Sequence, residues 1–167
     1  MPASVRDDLA MVPLIFLDID GVLNSARYLA AHTDGEGVVI VDGAFDATAH
    51  VDPECVERLN RLVADTGASV VLSSSWRISF GMEKTQSSLA ARGFAYQLAD
   101  STPRILGEPR HTEIRAYLSN YAEWPPFVIL DDAAEAGIGL VEQFVHVRDG
   151  LEDAHIDQAR AVLRNAT

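Results

Sequence analysis

Leu14-Ile15-Phe16-Leu17-Asp18-Ile19-Asp20-Gly21-Val22-Leu23-Asn24 carries four consecutive apolar residues straight into two carboxylates and a glycine. A short apolar run of this kind reads as a strand covered on both faces, the pattern of a parallel sheet, and Gly21 lets the chain turn where the strand stops. Asp18 and Asp20 share a face if the strand continues and diverge around one centre if it has begun to turn. Close carboxylates repel unless a cation or a shared proton relieves them, so a divalent metal is the first ligand to expect.

The rest of the chain repeats this strand-to-polar-edge design. Residues 25–50 are rich in Gly, Ala and Asp, with one β-prone run at Val38-Val39-Ile40-Val41, and read as a small flap or hairpin. Asp52-Pro53-Glu54 supplies an N-cap, a first-turn proline and an acid for a helix over residues 53–65, closed by Gly67. Ser69-Val70-Val71-Leu72 reads as a buried strand leading into Ser73-Ser74-Ser75-Trp76-Arg77. A weaker helix over 82–92, a third strand over 94–98, a Pro/Gly loop and a helix over 112–121 follow, with Arg110 just ahead of that last helix. Phe127-Val128-Ile129-Leu130 is a fourth buried strand ending in Asp131-Asp132, and a fifth strand over 143–147 precedes a C-terminal helix from about residue 152. Alternating strands and helices predict an α/β fold: a doubly wound, Rossmann-like three-layer sandwich on a five-stranded parallel sheet, with a small flap insert. Ligands of such sheets bind beyond the carboxyl ends of the strands, which would bring Asp18, Asp20, the serine run and Asp131-Asp132 to one edge.

The chain of 167 residues has the size of one domain, expected over residues 13–167 behind a frayed arm at 1–12. With 48% hydrophobic and 23% charged residues, the composition is that of an ordinary globular protein. The apolar runs are too short to span a bilayer and the first residues lack a secretory pattern, so the expected setting is cytoplasmic, with no membrane partner. Cys55 has no second cysteine to pair with and falls on the apolar side of a helix, where it reads as a small core residue. A net charge of −12 opposes indiscriminate contact with nucleic acid, while leaving room for a site that reads one phosphate.

Carboxylates, short hydroxyls and an arginine at one edge suit phosphoryl chemistry. Oxygen ligands hold Mg²⁺, which keeps several waters and bridges to substrate phosphate, and Asp18 and Asp131 are the preferred ligands. Asp18 is also placed to attack phosphorus, forming an aspartyl-phosphate. Asp20 is placed to protonate the leaving oxygen and then to deprotonate water. A serine hydroxyl and nearby backbone N–H groups would hold the non-bridging oxygens, and Arg110 would balance developing charge.

The segment Asp18-Ile19-Asp20-Gly21-Val22-Leu23-Asn24 resembles the DxDGVLN form of the first motif of the haloacid dehalogenase superfamily. The serine run resembles its second motif, Arg110 its basic third motif, and Asp131-Asp132 its acidic fourth, in the family's order and over residues 13–165. The resemblance implies that Asp18 is nucleophile and metal ligand, that Asp20 is general acid/base and offers its backbone carbonyl to the metal, and that Asp131 and Asp132 complete an Mg²⁺ site. An aspartate at the position of Asp20 is what the family's phosphatases share. Ser73 and Ser74 are the favoured phosphate-binding serines, with Ser75 open; Arg104 competes with Arg110 for the third role. The 25–50 insert is too small for the cap that many members of the family carry, so no large cap is expected. The Ser-Trp-Arg step and the DxDGVLN variant are similar to the capless domain of RNA-repair proteins and, more loosely, to polynucleotide 3′-phosphatases, which implies a phosphorylated small molecule or a nucleic-acid end as partner.

Competing readings exist for the same residues. An Asp pair after a strand also serves as a turn and helix cap, Trp76 reads as core or rim packing, and Arg77 reads equally as a phosphate contact or a surface arginine. Of the histidines, only His111 falls near the expected site. A non-catalytic binding or regulatory module on the same fold is the alternative function. A phospho-accepting receiver domain would carry its acidic pair after the first strand and its acceptor Asp after the third, which is not the order found here.

Overall fold

The computed structural model describes residues 11–33, 40–41, 44–45 and 47–166. Five strands form one parallel sheet: β1 (Leu14–Leu17), β4 (Ser69–Leu72), β5 (Leu98–Ser101), β6 (Phe127–Asp131) and β7 (Phe144–His146), in the order β5-β4-β1-β6-β7. Two-residue strands β2 (Ile40–Val41) and β3 (Ala44–Phe45) pair antiparallel in the insert, after a seven-residue helix α1 (Ala26–His32). The expected flap therefore also carries a helix, capped by the Ser25 side chain, which accepts the Tyr28 N–H. Most of the arm expected at 1–12 and Val38-Val39 lie outside the described residues.

Alternation along the central strands builds two cores, because successive side chains of a strand point to opposite faces. Ile15, Leu17, Val70, Leu72, Val128 and Leu130 pack with α2 (Pro53–Thr66), α4 (Gly81–Ala91) and α6 (Asp153–Asn165). Leu14, Phe16, Val71, Phe127 and Ile129 face the other way, onto Ile114 and Leu118 of α5 (Arg110–Leu118) and the 3₁₀ turns that follow β6. This is the three-layer arrangement expected. The helix at 53 forms for the reasons read in its sequence: Asp52 caps it by accepting the Glu54 N–H at 2.9 Å, and it ends on Gly67 at φ 66°, a backbone conformation that suits glycine.

Three local readings change. The third strand lies at 98–101 rather than 94–98: Phe94 turns into the core, Gln86 grips Tyr96 O and Leu98 N, and Asn60 grips Gly93 O and Ala95 N, which holds the segment as a braced loop. β5 is an edge strand with a mostly solvent-facing sequence, so it carries little of the apolar signal that marks its neighbours. The helix expected at 112 begins at Arg110, and an additional four-residue helix, α3 (Trp76–Ser79), follows the serine run directly.

Arg77 is not a free surface arginine: its side chain is tied down at the inner wall of a cleft. Its Nη2 lies 2.6 Å from Glu113 Oε2, with the two side chains 6% and 8% exposed. The same guanidinium donates to Ser74 O and Thr102 O, while Glu113 Oε1 accepts the Ile105 N–H. The pair thus fastens the 102–105 loop to the end of β4. Removing one partner of a buried pair strands the other, so Glu113→Ala should lose about 3–5 kcal/mol of stability. Urea unfolding at neutral pH measures this, and a loss below about 1 kcal/mol would show the pair to be no more than a surface contact.

Candidate active site

Strand register brings the site together. Leu17 of β1 is level with Leu72 of β4 on one side and with Leu130 of β6 on the other. The next residue of each strand, Asp18, Ser73 and Asp131, therefore emerges at the same row of the sheet's carboxyl edge. The backbone stays tied there: Asp18 N–H donates to Leu130 O at 3.0 Å, and Ser73 N–H donates to Leu17 O at 2.7 Å. Asp132 follows one residue on.

Asp18, Asp131 and Asp132 each offer a carboxylate oxygen within 4.8 Å of the others, the one cluster of three potential metal ligands among the described residues. Asp18 and Asp131 are buried, whereas Asp132 is exposed. Gly21, at φ 78°, gives Asp132 its space: a Cβ there would lie 2.5 Å from Asp132 Oδ2. Arg110 Nη1 lies 3.3 Å from Asp18 Oδ1 and 3.1 Å from Asp131 Oδ2, and also donates to Ser73 O. Arg104, the competing arginine, stands instead on the wall of a cleft of about 230 Å³ together with Ser75, Ile78, Leu106 and Arg110.

The serines separate into three environments. Ser73 Oγ is buried with no hydrogen-bond partner among the described residues, an orphan hydroxyl at the carboxylate row. Ser74 is buried, its hydroxyl helps hold the Asp18 pKa down against burial, and it accepts the Trp76 N–H at 3.2 Å. Ser75 is exposed and opens onto the cleft.

Asp20 sits apart from the carboxylate cluster, in the turn after β1. Trp76 Nε1 donates to its Oδ2 at 3.0 Å, and Asn24 Nδ2 approaches its Oδ1 at 3.4 Å. The Trp76 ring is 3% exposed, so packing was legible in the sequence but its polar end was not. His146, which the sequence does not place near the site, pairs in register with Asp131, and its Nε2 lies 2.8 Å from Asp132 O. His111 Nδ1 instead meets Glu135 O at 3.0 Å. The loop after β7 secures the turn from behind, with Gly150 N–H on Gly21 O at 2.7 Å, Leu151 N–H on Val22 O at 2.8 Å and Asp149 capping Ala26 N–H at 2.7 Å. Cys55 lies in the core, and burial pushes its thiol up to about 11, as an inert core residue requires.

Crowding of acids in a poorly solvated place sets the electrostatics. Burial raises Asp18 to about 6, with Arg110 pulling the other way; burial and then the Asp18 charge raise Asp131 to about 7. Burial also works against the Arg110 charge, but Asp18 and Asp131 more than offset it and its pKa rises. One arginine against three carboxylates leaves an excess of negative charge, and a set of hard oxygen donors with that excess fits a divalent cation.

Both carboxyls hold protons more tightly in the folded chain than in the unfolded one. Between about pH 4 and about pH 7 the folded state binds more protons, so stability falls as pH rises through that window. Without added metal, Asp131→Asn should flatten this fall. Thermal melts of both proteins from about pH 5 to about pH 8 test it, and parallel curves would refute the origin assigned to the slope.

The model of the family described as the HAD domain in Swiss Army Knife RNA repair proteins matches residues 14–156. No curated protein gives a match.

Proposed function

The chain belongs to this family of HAD domains, and from that premise we propose that it is an Mg²⁺-dependent phosphomonoesterase working through an aspartyl-phosphate on Asp18. The observation that carries the proposal is the row of Asp18, Ser73 and Asp131 at the sheet edge, with Arg110 bridging the two acids and Asp132 beside them. Family membership points generally to a phosphatase. The residue roles are our reading of the geometry.

In this reading the terminal phosphate enters against Asp18, whose carboxylate oxygen bonds to phosphorus as the bond to the leaving oxygen breaks. Asp20 gives that oxygen its proton, then takes one from the water that releases phosphate from Asp18. Arg110 and the hydroxyls of Ser73 and Ser74 face the non-bridging oxygens, in a setting poor enough in water for each donor to count. Asp18, Asp131 and Asp132, with the Asp20 carbonyl, would hold Mg²⁺, whose charge offsets that of the phosphate and lets the buried carboxylates stay ionised.

For substrate we favour the terminal phosphate of a nucleic-acid strand, on the family's description and on the cleft beside Arg110. Arg104 supplies a cation on that cleft's wall, and Ile78 and Leu106, 48% and 81% exposed, supply apolar surface there. A net charge of −12 suits contact with one end rather than with a long stretch of polymer.

Hydrolysis of p-nitrophenyl phosphate tests the reaction. Wild type should turn over only with Mg²⁺, Asp18→Asn should fall to background, and Asp20→Asn should lose on the order of a hundredfold or more against an alkyl phosphate. Equal rates in all three proteins would refute the mechanism. A panel comparing end-phosphorylated oligoribonucleotides with sugar phosphates tests the substrate. The oligonucleotide should give the highest kcat/KM, and a preference for a sugar phosphate would overturn this choice.

A further inference from the structure

The Trp76 side chain makes one polar contact that packing does not require, and it ends on a carboxylate of the site: the indole Nε1–H donates to Asp20 Oδ2 at 3.0 Å. The ring itself is held rigidly: it is 3% exposed, and it meets the Phe80 ring edge-on with centroids 5.1 Å apart. A buried indole needs an acceptor for its single donor, and here that acceptor is an exposed aspartate in a turn rather than a core carbonyl.

We infer that Trp76 is a positioning residue for the reaction proposed above, fixing the Asp20 carboxylate relative to Asp18. The inference rests on the reading of Asp20 as proton carrier. An exposed aspartate in a turn samples several rotamers, and each one that points away from the leaving oxygen wastes the proton it carries. Two donors from separate segments remove that freedom. Trp76 holds Oδ2 from the end of β4, and Asn24 approaches Oδ1 at 3.4 Å from the insert side. Asn24 is itself fixed, 1% exposed, with its Oδ1 accepting the Gly21 N–H at 2.8 Å and its Nδ2 donating to His50 O at 2.9 Å.

The consequence depends on the leaving group. In the first half-reaction a bond forms from Asp18 oxygen to phosphorus, the phosphorus–oxygen bond to the leaving group breaks, and the Asp20 proton passes to that oxygen. An alkoxide leaving group needs the proton, whereas p-nitrophenolate departs as a stable anion. Misplacing Asp20 therefore slows this first half-reaction for alkyl esters selectively; the second, in which Asp20 takes the water's proton, is shared by both substrates, and a general disturbance of the site slows the first step of both alike.

The test uses Trp76→Phe in the full chain, with a nucleoside 5′-monophosphate and p-nitrophenyl phosphate as substrates. The variant should lose about tenfold or more in the single-turnover rate of nucleoside release, a share of the 10²–10⁴ a general acid supplies, with the single-turnover rate of p-nitrophenolate release within about twofold. KM should change little for either, and Trp76→Phe added to Asp20→Asn should cost nothing further. Equal losses on both substrates, or none on either, overturn the inference alone; a wild type inactive on both overturns the phosphatase reading and the inference with it. A spectroscopic arm covers a variant that folds poorly. The chain has two tryptophans, so Trp124→Phe leaves Trp76 as the sole indole, and Asp20→Ala should then shift its emission. An unchanged spectrum shows that the contact does not form in solution and overturns the inference.

Discussion

The site depends on the register of three central strands. Leu17, Leu72 and Leu130 stand level, which delivers Asp18, Ser73 and Asp131 to one row. That register is enforced from far away, by the alternation that sends Ile15, Val70 and Val128 into one core and Phe16, Val71 and Ile129 into the other. A slip of one residue in any of the three strands would exchange its two faces between dissimilar cores, so packing energy across the whole sheet guards the alignment of three polar residues. The hydrophobic effect, which has no direction of its own, becomes directional at this edge.

What the register assembles is unfavourable by itself. Asp18 and Asp131 are pushed above the ordinary carboxylate range by burial, and Arg110 relieves them in part. The strain is local, and bonds nearby resist its release: the Arg77–Glu113 pair fastens the loop after β5, and the 149–151 segment holds the turn after β1 from behind. Functional sites commonly hold such destabilised groups because the surrounding fold over-determines them. Here the surroundings are two cores and two loops converging on one edge.

The parts of this design that were legible in the sequence are those that burial dictates. β1, β4 and β6 are covered on both faces, so their apolar runs announce them, and the polar residues at their ends follow by the rule for open α/β sheets. β5 lies at the edge, where half its side chains meet solvent, and its signal was weak enough that the neighbouring Phe94 segment, with an apolar residue anchored in the core, looked more strand-like. Single-residue roles that depend on a distant partner were not legible at all. Nothing local distinguishes an arginine that buries itself against a glutamate 36 positions away from one that faces water. The Trp76–Asp20 contact spans 56 positions and was hidden for the same reason. The Asp131–His146 pairing was closer to reach, since two adjacent parallel strands place the residue after one run beside the end of the next.

The two faces of the sheet are unequally furnished, and this bears on how the edge is used. α2, α4 and α6 cover one face, with α5 and short turns on the other. The carboxyl edge is approached from the first side by the turn Ala47–His50, whose last residue accepts from Asn24 of the turn that carries Asp20, and from the second by α5, whose first residue is Arg110. The turn that carries Asp20 and the Arg110 side chain are thus hung on different layers, and α3 stands between them: Trp76 holds Asp20, while Ser75 and Ile78 of the same segment line the Arg104 cleft. In the reaction proposed above, changes in that segment reach both the proton carrier and the substrate's surroundings, while the strand register beneath keeps Asp18, Ser73 and Asp131 in one row.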